Sequence, residues 1–347
     1  MSQPTATSPT RRPVPASELL GAPLKPAADG WSAPLRIPYR HPFFFDHPLD
    51  HVPGMLTVCA LLDLAGAATG GQLDRDGRRL RICLTFPAIC GLVRPTVLSV
   101  TPDGTVPGRW LARSVQDGVV TCAGWLQPAD GTAAGVPAAG EERADRSRRC
   151  RPDLLHRTRP DNVLLGPPAA EPGFVVASLL RPPAGHYLTG FGRNGYSARG
   201  LVEAGRQFAT MLLHQAVGRA LDTKMIWQAV EADLPGAPIV GAALRWPRRP
   251  PQFSGSRVRL AFDLVDRSSA AVLGSLAYSG RAISPAAYER FRAMSMSRAA
   301  AVLPPVPPAG SPAVSTVESA AAATVKPATT PGAGSAARRT AGGGQRR

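Results

Sequence analysis

Apolar and polar positions along the chain fall into one pattern that occurs twice. The first copy opens on a short extended stretch, Pro34–Arg40, followed by the loop HPFFFDHPLDHVPG. An apolar, small-residue run from Met55 to Ala68 is long enough for a helix. Four runs then alternate or bunch apolar residues as strands do, at 80–86, 92–100, 109–115 and 118–126, with Asp103-Gly104 and Asp117-Gly118 as turn signals. The second copy opens on Phe174–Leu180 and the loop RPPAGHYLTGFGRNGYSAR. Within Gly200–Leu221, Leu201, Ala204, Gln207/Phe208, Met211 and Leu212 recur at helical spacing. Strand-like runs follow at 224–233, 239–247, 257–266 and 271–283. Ser284 to Arg292 then reads as a short closing helix, with a serine cap and Pro285 in its first turn.

The order strand, loop, helix, four strands, repeated once, predicts an α+β fold. One long helix followed by four hairpin-capable strands is the plan of an antiparallel sheet wrapped around a central helix, the hotdog architecture. Two copies predict a double hotdog with the two sheets side by side, and a site formed between the units. The repeats are expected over 31–127 and 161–298.

Composition changes the picture outside those blocks. Residues 1–30 and 299–347 carry no aromatic side chain and much Pro, Ala, Ser and Thr, so both are expected to be disordered. The stretch 128–160 reads as an arginine-rich linker. The 347 residues include 40 Lys+Arg against 24 Asp+Glu, a formal charge of +16. Nearly all the cations are arginine, lysine occurring only at 25, 224 and 326, and no nucleic-acid-reading motif accompanies them. Specific nucleic-acid binding is therefore not expected. Neither is a membrane partner, since no apolar run is long enough to span a bilayer. Five cysteines without a C-x-x-C pair suggest neither a disulfide framework nor a zinc site, which fits a reduced, cytoplasmic protein. A metal on His47 and His51 would need a helix to converge the two rings, and Pro48 and Pro53 oppose one. No metal and no cofactor is expected.

The most specific sequence in the chain is His41-Pro-Phe-Phe-Phe-Asp46-His47-Pro-Leu-Asp50-His51-Val-Pro53-Gly54-Met55. It closely resembles the DHPLDHVPGM signature of the A-factor biosynthesis (AfsA-like) hotdog family. RPPAGHYL, GLVEAGRQFATMLLH, KMIWQAVEADL and SPAAYERFR in the second block resemble that family's other half. The resemblance implies transfer of a β-ketoacyl group from acyl carrier protein, or acyl-CoA, to dihydroxyacetone phosphate, in the making of γ-butyrolactone signals by actinomycetes. More remotely, Pro42-Phe43-Phe44-x-x-His47 is similar to the loop of β-hydroxyacyl-ACP dehydratases, which places His47 at a catalytic position. A dehydratase or thioesterase, and a non-catalytic acyl-binding regulator, stand as alternatives. Homodimerisation is an open alternative too.

Two departures bear on the site. The DHPLDHVPGM half stands first here, where the family usually has it second. The helix after it has lost the family's E-x-x-R-Q, with Cys59 at the glutamate position and Leu62-Asp63 after it; the second half keeps Glu203, Arg206 and Gln207 but has FGRNGYSA for the histidine loop. If a site spans the two units, His47 and Glu203 are its expected catalytic pair. His47 would act as the base, since an imidazole is the side chain whose ordinary range suits proton transfer near neutrality. Asp46 or Asp50 would fix its tautomer, with His51 beside them. The amides of Gly54 and Met55 would bind the thioester oxygen. Arg206, one turn after Glu203, would pair with it or reach a phosphate, with Gln207 in support.

Overall fold

The computed structural model describes residues 17–301, apart from 22–23, 28–29, 72, 74–77, 131–147, 192–195, 237–238, 240 and 249–251. In the first repeat β1 (Lys25–Ala27) and β2 (Gly30–Pro34) precede helix α1 (Gly54–Ala68). After α1 come β3 (Arg78–Thr85), β4 (Thr96–Pro102), β5 (Trp110–Gln116) and β6 (Val119–Asp130). In the second, β7 (Ala169–Glu171) and β8 (Phe174–Ser178) precede α2 (Ala198–Gln215). Then come β9 (Lys224–Leu234), β10 (Ala242–Pro247), β11 (Gln252–Ser254), β12 (Arg257–Asp266), β13 (Val272–Ile283) and α3 (Pro285–Ala301).

The strands form one antiparallel sheet, ordered β1-β2-β4-β5-β6-β3-β9-β13-β12-β10-β8-β7, with β11 beside β12. Outward from the β3–β9 seam, each half repeats the same order. The fold is the expected α+β double hotdog, but its two sheets are fused into one: Leu80 to Thr85 of β3 pair with Leu234 to Ala229 of β9. α1 packs on β2, β4 and β5, and α2 on β9 and β13. The hydrophobic core runs through both repeats without a break.

α2 lies very close to its sheet. A Cβ on Gly205 would sit 2.8 Å from Leu276 Cδ2 and 3.1 Å from the Tyr278 ring, whose hydroxyl donates to Val202 O at 2.5 Å. The helix starts where the Ser197 hydroxyl accepts from Gly200 N at 3.1 Å. It ends at Gln215, short of the expected Leu221, because Gly218 takes φ 72° and turns the chain away. The closing helix has its serine cap, Ala287 N donating to Ser284 Oγ at 3.3 Å, and runs further than expected.

All three stretches expected outside the repeats are in part structured, the last because α3 runs through Ala301. Leu19 is fully buried, and residues 19–21 pair with the end of β2 and the chain just past it: Gly21 N donates to Pro34 O (2.8 Å) and Arg36 N to Leu19 O (2.9 Å). Residues 162–166 do the same in the second repeat, Gly166 N donating to Ser178 O (2.9 Å) and Leu180 N to Leu164 O (2.8 Å). The sequences match as well, SELLG against NVLLG. The first repeat therefore begins about a dozen residues before its expected boundary, while 162–166 falls just inside the expected start of the second. The expected linker is likewise structured at both described ends: β6 runs through Asp130, and Arg148 to Pro160 holds a short 3-10 turn, Pro152–Leu155, with Leu155 fully buried. Residues 1–16, 131–147 and 302–347, the rest of those expectations, lie outside the described residues.

Candidate active site between the repeats

A cavity of about 870 Å³ opens between the repeats. Its walls are the histidine loop, the start of α1, Phe86–Cys90 after β3, His156–Thr158, the first half of β9, and the inner faces of α2 and α3. His47 lines it and is one-third exposed. Nδ1 of His47 lies 2.6 Å from Asp46 Oδ1. The Asp46 side chain is wholly buried. Its Oδ2 accepts from Asn162 Nδ2 at 3.1 Å and Thr158 N at 3.3 Å, and the Thr158 hydroxyl donates to the Asp46 backbone carbonyl. Burial acts to raise the Asp46 carboxyl, but the His47 bond, the Arg157 guanidinium and the Asn162 amide outweigh it and hold it at about 2. An ionised carboxylate only accepts, so His47 carries its proton on Nδ1 and turns the Nε2 lone pair outward.

Asp50 does not share this task. Its Oδ1 lies 2.6 Å from His51 Nδ1 and accepts from Tyr288 Oη at 2.9 Å; Oδ2 meets Arg292 Nε at 3.1 Å. The Asp50–His51 pair therefore anchors α3 across the cavity. Gly54 and Met55 line the cavity at the start of α1. Pro53 caps that helix without a side-chain bond, so its first amides have no acceptor within the helix. A Cβ on Gly54 would reach only ordinary contact with the Phe86 ring, 3.7 Å away. The freedom of Gly54 is thus not demanded by the protein's own packing.

Glu203 is placed differently from the expectation. It is fully buried, absent from the cavity wall, and not in contact with His47. Its Oε1 accepts from Arg157 Nη2 (2.6 Å) and Nε (3.2 Å), Arg206 Nη2 (2.8 Å) and Gln207 Nε2 (2.8 Å), while Oε2 accepts from Arg206 Nε (2.9 Å). Burial would raise this carboxyl, yet the two guanidinium groups hold it near 2. A carboxylate bound on both oxygens and permanently ionised neither gives nor takes a proton near neutrality. Gln207 is also a clamp, donating to Asn162 O (2.7 Å) and accepting from Leu164 N (2.9 Å). Arg206 alone of that motif reaches the cavity. His47 and Glu203 do belong to one network across the repeats, joined through Asp46 by Arg157 and, by a longer route, by Asn162 and Gln207.

Arg157 lay in the expected linker, and sequence reading gave it no role. Its Nη1 donates to Phe43 O at 2.8 Å and lies 3.5 Å from Asp46 Oδ1; its guanidinium stands over the Phe43 ring at 5.0 Å. Asn162, also missed, donates to Pro42 O (2.8 Å) and meets His186 Nε2 at 3.0 Å. The SELLG/NVLLG repeat is a signal that marks Asn162 as part of a packed segment; it does not reach Arg157. His156 lines the cavity with Nε2 2.9 Å from His214 Nε2; burial, His214 and Arg206 push it down to about 3, so it is neutral. At the pseudo-equivalent place on α1, Cys59 is fully buried and burial pushes its thiol up. Asp63 there pairs with Arg199 at 2.5 Å. The 192–195 loop expected beside it lies outside the described residues. Among the described residues no group of three or more His, Cys, Asp or Glu could hold a metal ion, and no helix is long and apolar enough to cross a membrane.

Fold and cavity define a double-hotdog protein with a histidine–aspartate pair at the junction of its repeats. Residues 13–74 match the A-factor biosynthesis hotdog domain, the family that the histidine loop resembles. The chain is also similar to the dehydratase domain from the CurJ module of the curacin polyketide synthase: 14% identity, 77% of this chain and 98% of that one, TM-score 0.53. It is similar as well to the bifunctional dehydratase-cyclase domain of ambruticin biosynthesis: 18% identity, 80% and 99% coverage, TM-score 0.51. At such identities these likenesses bear on the fold. No curated protein sequence matches the chain significantly.

Proposed function

We propose that the chain transfers a β-ketoacyl group from acyl carrier protein, or CoA, to a hydroxyl of dihydroxyacetone phosphate, giving a γ-butyrolactone-type signal precursor. The observation that carries this reading is His47: an imidazole oriented by an ionised Asp46, with Nε2 free, on the wall of a roomy cavity beside the amides that open α1. An alcohol attacking a thioester needs one base and a place for negative charge. Nε2 takes the hydroxyl proton as the oxygen attacks the thioester carbonyl. The amides of Gly54 and Met55 take the charge that develops on the carbonyl oxygen. The C–S bond then breaks, and the leaving thiolate receives the proton back from the imidazolium. Arg206 and Lys224, both on the cavity wall, suit the acceptor's phosphate.

Dehydration of a β-hydroxyacyl thioester needs in addition an acid for the departing hydroxyl. Glu203, on the helix where that acid would stand, is buried, ionised and bound on both oxygens, which favours transfer over dehydration. The test is incubation with a β-ketoacyl thioester on acyl carrier protein, or on a short pantetheine mimic, with and without dihydroxyacetone phosphate. Formation of the acyl ester and free thiol only with acceptor present is the expected result. Thiol release without acceptor would mean a thioesterase, and an unsaturated product from a β-hydroxyacyl thioester a dehydratase. Binding without any turnover would mean a regulator. The expected partners are the carrier and the acceptor, without a specific nucleic acid or a membrane, in the cytoplasm.

A further inference from the structure

Arg157 touches three things that the proposed chemistry needs together. Nη1 donates to the Phe43 carbonyl of the histidine loop and lies 3.5 Å from Asp46 Oδ1, the oxygen that also faces His47 Nδ1. On its other side the guanidinium holds Glu203 Oε1 through two nitrogens, 2.6 and 3.2 Å away. Its side chain is 6% exposed, so these contacts are little screened by water. A lysine has no flat fork to span two carboxylates and a carbonyl at once.

We propose that Arg157 is a positioning residue for His47: one guanidinium, shared between Asp46 of the first repeat and Glu203 of the second, fixes the carboxylate that orients the imidazole and sets the electric field under which the imidazole binds its proton. The inference rests on the reading of His47 as a base, and it adds the element that tunes that base. With Arg157 in place, part of the Asp46 charge is answered by the guanidinium and the rest acts on His47. Remove the cation and the same carboxylate acts on the imidazole unopposed, so the imidazole holds its proton to higher pH. Remove the Glu203 charge instead, and the guanidinium loses its counter-ion. Its positive charge then bears more fully on His47, which releases its proton at lower pH. The two changes therefore act with opposite signs, the second through Arg157 and also through Arg206, which Glu203 holds as well. The same cavity is lined by Arg206 of α2, the neutral His156, Asp153, His51 and Asp50 of the loop (Asp50 paired with Arg292 of α3), Asp222 just before β9, Lys224 at its start, and Glu289 of α3. All of these stay in place in every variant below, apart from Arg206 where it is itself replaced.

The test is a titration of the His47 ring protons by NMR in full-length protein labelled at histidine, six residues in all, with His47→Gln to assign the signal. The wild type is compared with Arg157→Gln, Arg157→Lys and Glu203→Gln. Arg157→Gln is expected to move the His47 midpoint up by about one pH unit, as loss of a close, buried charge does. Glu203→Gln should move it down, and Arg157→Lys should leave it within a few tenths of a unit. In the transfer assay the acid limb of kcat/KM should follow those midpoints, while Arg157→Lys lowers the plateau without moving the limb. A residue that merely holds the fold would lower the plateau or the unfolding temperature and leave the midpoint where it was. Should Arg157→Gln fail to fold, the downward shift in Glu203→Gln, repeated in an Arg206→Gln background where Arg157 is the one guanidinium left on that carboxylate, carries the test. Midpoints that do not move, or that move in the same direction in both variants, overturn the proposal. The NMR titration needs no turnover, so loss of the acyltransfer reading would leave it intact and separately readable.

Discussion

At the scale of single residues, His47 and Asp46 make separable predictions. His47 bonds through its ring only to its sequence neighbour and is one-third exposed, so the fold asks little of it. His47→Ala should therefore lower acyl transfer by about 10²–10⁴-fold, the usual worth of a general base, with the unfolding temperature nearly unchanged. Asp46→Asn should lower transfer comparably although the shape is kept. An asparagine amide can donate to Nδ1, which puts the imidazole proton on Nε2 and removes the lone pair from the cavity. Full activity in either variant would remove His47 as the base. The two buried carboxylates also set an acid limit on the fold. Both Asp46 and Glu203 sit near 2 when folded, below their unfolded values of about 3.9 and 4.3. Their stabilisation is complete above the unfolded values and is lost as pH falls through the folded ones. The unfolding temperature should thus fall between about pH 4.5 and 2, and a protein with both residues amidated should show a shallower fall over that window, measured by thermal melts.

At the scale of elements, the packing of α2 gives the sharpest test. A methyl on Gly205 must displace Leu276 or Tyr278, and Tyr278 is held by its hydroxyl bond to Val202 O. Gly205→Ala should cost about 1–3 kcal/mol from overpacking. The gain in helix propensity, about 1 kcal/mol, does not cover it. Gly200→Ala, where the new Cβ would meet only Ser197 Oγ at 3.4 Å, is the control, and denaturant unfolding compares the two. The elements themselves were largely legible, because period 2 in the strands and helical spacing in α2 are direct consequences of one buried face. Segments that pack by a few residues were not. SELLG and NVLLG are too short for any periodicity. Arg148 to Pro160 reads as charged linker because its arginines outnumber its apolar residues, yet Leu155 is fully buried and Arg157 finds two carboxylates from distant parts of the chain. Burial of a charge depends on a partner that sequence does not locate. The same blindness paired Glu203 with His47 as a catalytic residue: its place on α2 is as expected, but the two guanidinium groups that close it off come from α2 itself and from that unread segment.

At the scale of the molecule, one ladder joins the repeats, and its two ends do different things. At the Leu80–Leu234 end, Gly236 lies against the backbone of Arg78: a Cβ there would stand 2.0–2.3 Å from Arg78 O, C and N. No side chain can swing aside to relieve that overlap. At the other end, Phe86 N donates to Gln228 O at 2.7 Å, and both residues line the cavity. Gly236→Ala should spread the far end of the seam and destabilise the protein by about 1–3 kcal/mol, read by denaturant unfolding. It should leave kcat/KM for acyl transfer close to wild type in protein that remains folded. Gly54→Ala should do the reverse. Its methyl makes only ordinary contact with the Phe86 ring, so stability should change by no more than about 0.5 kcal/mol. It would, however, project beside the first amides of α1, where the thioester oxygen is proposed to bind, and transfer should fall by tenfold or more. Equal losses of activity in the two variants would mean that the seam, and not the mouth of α1, governs the site. A Gly54→Ala protein with wild-type transfer would take the helix amides out of the chemistry and leave His47 to act without them.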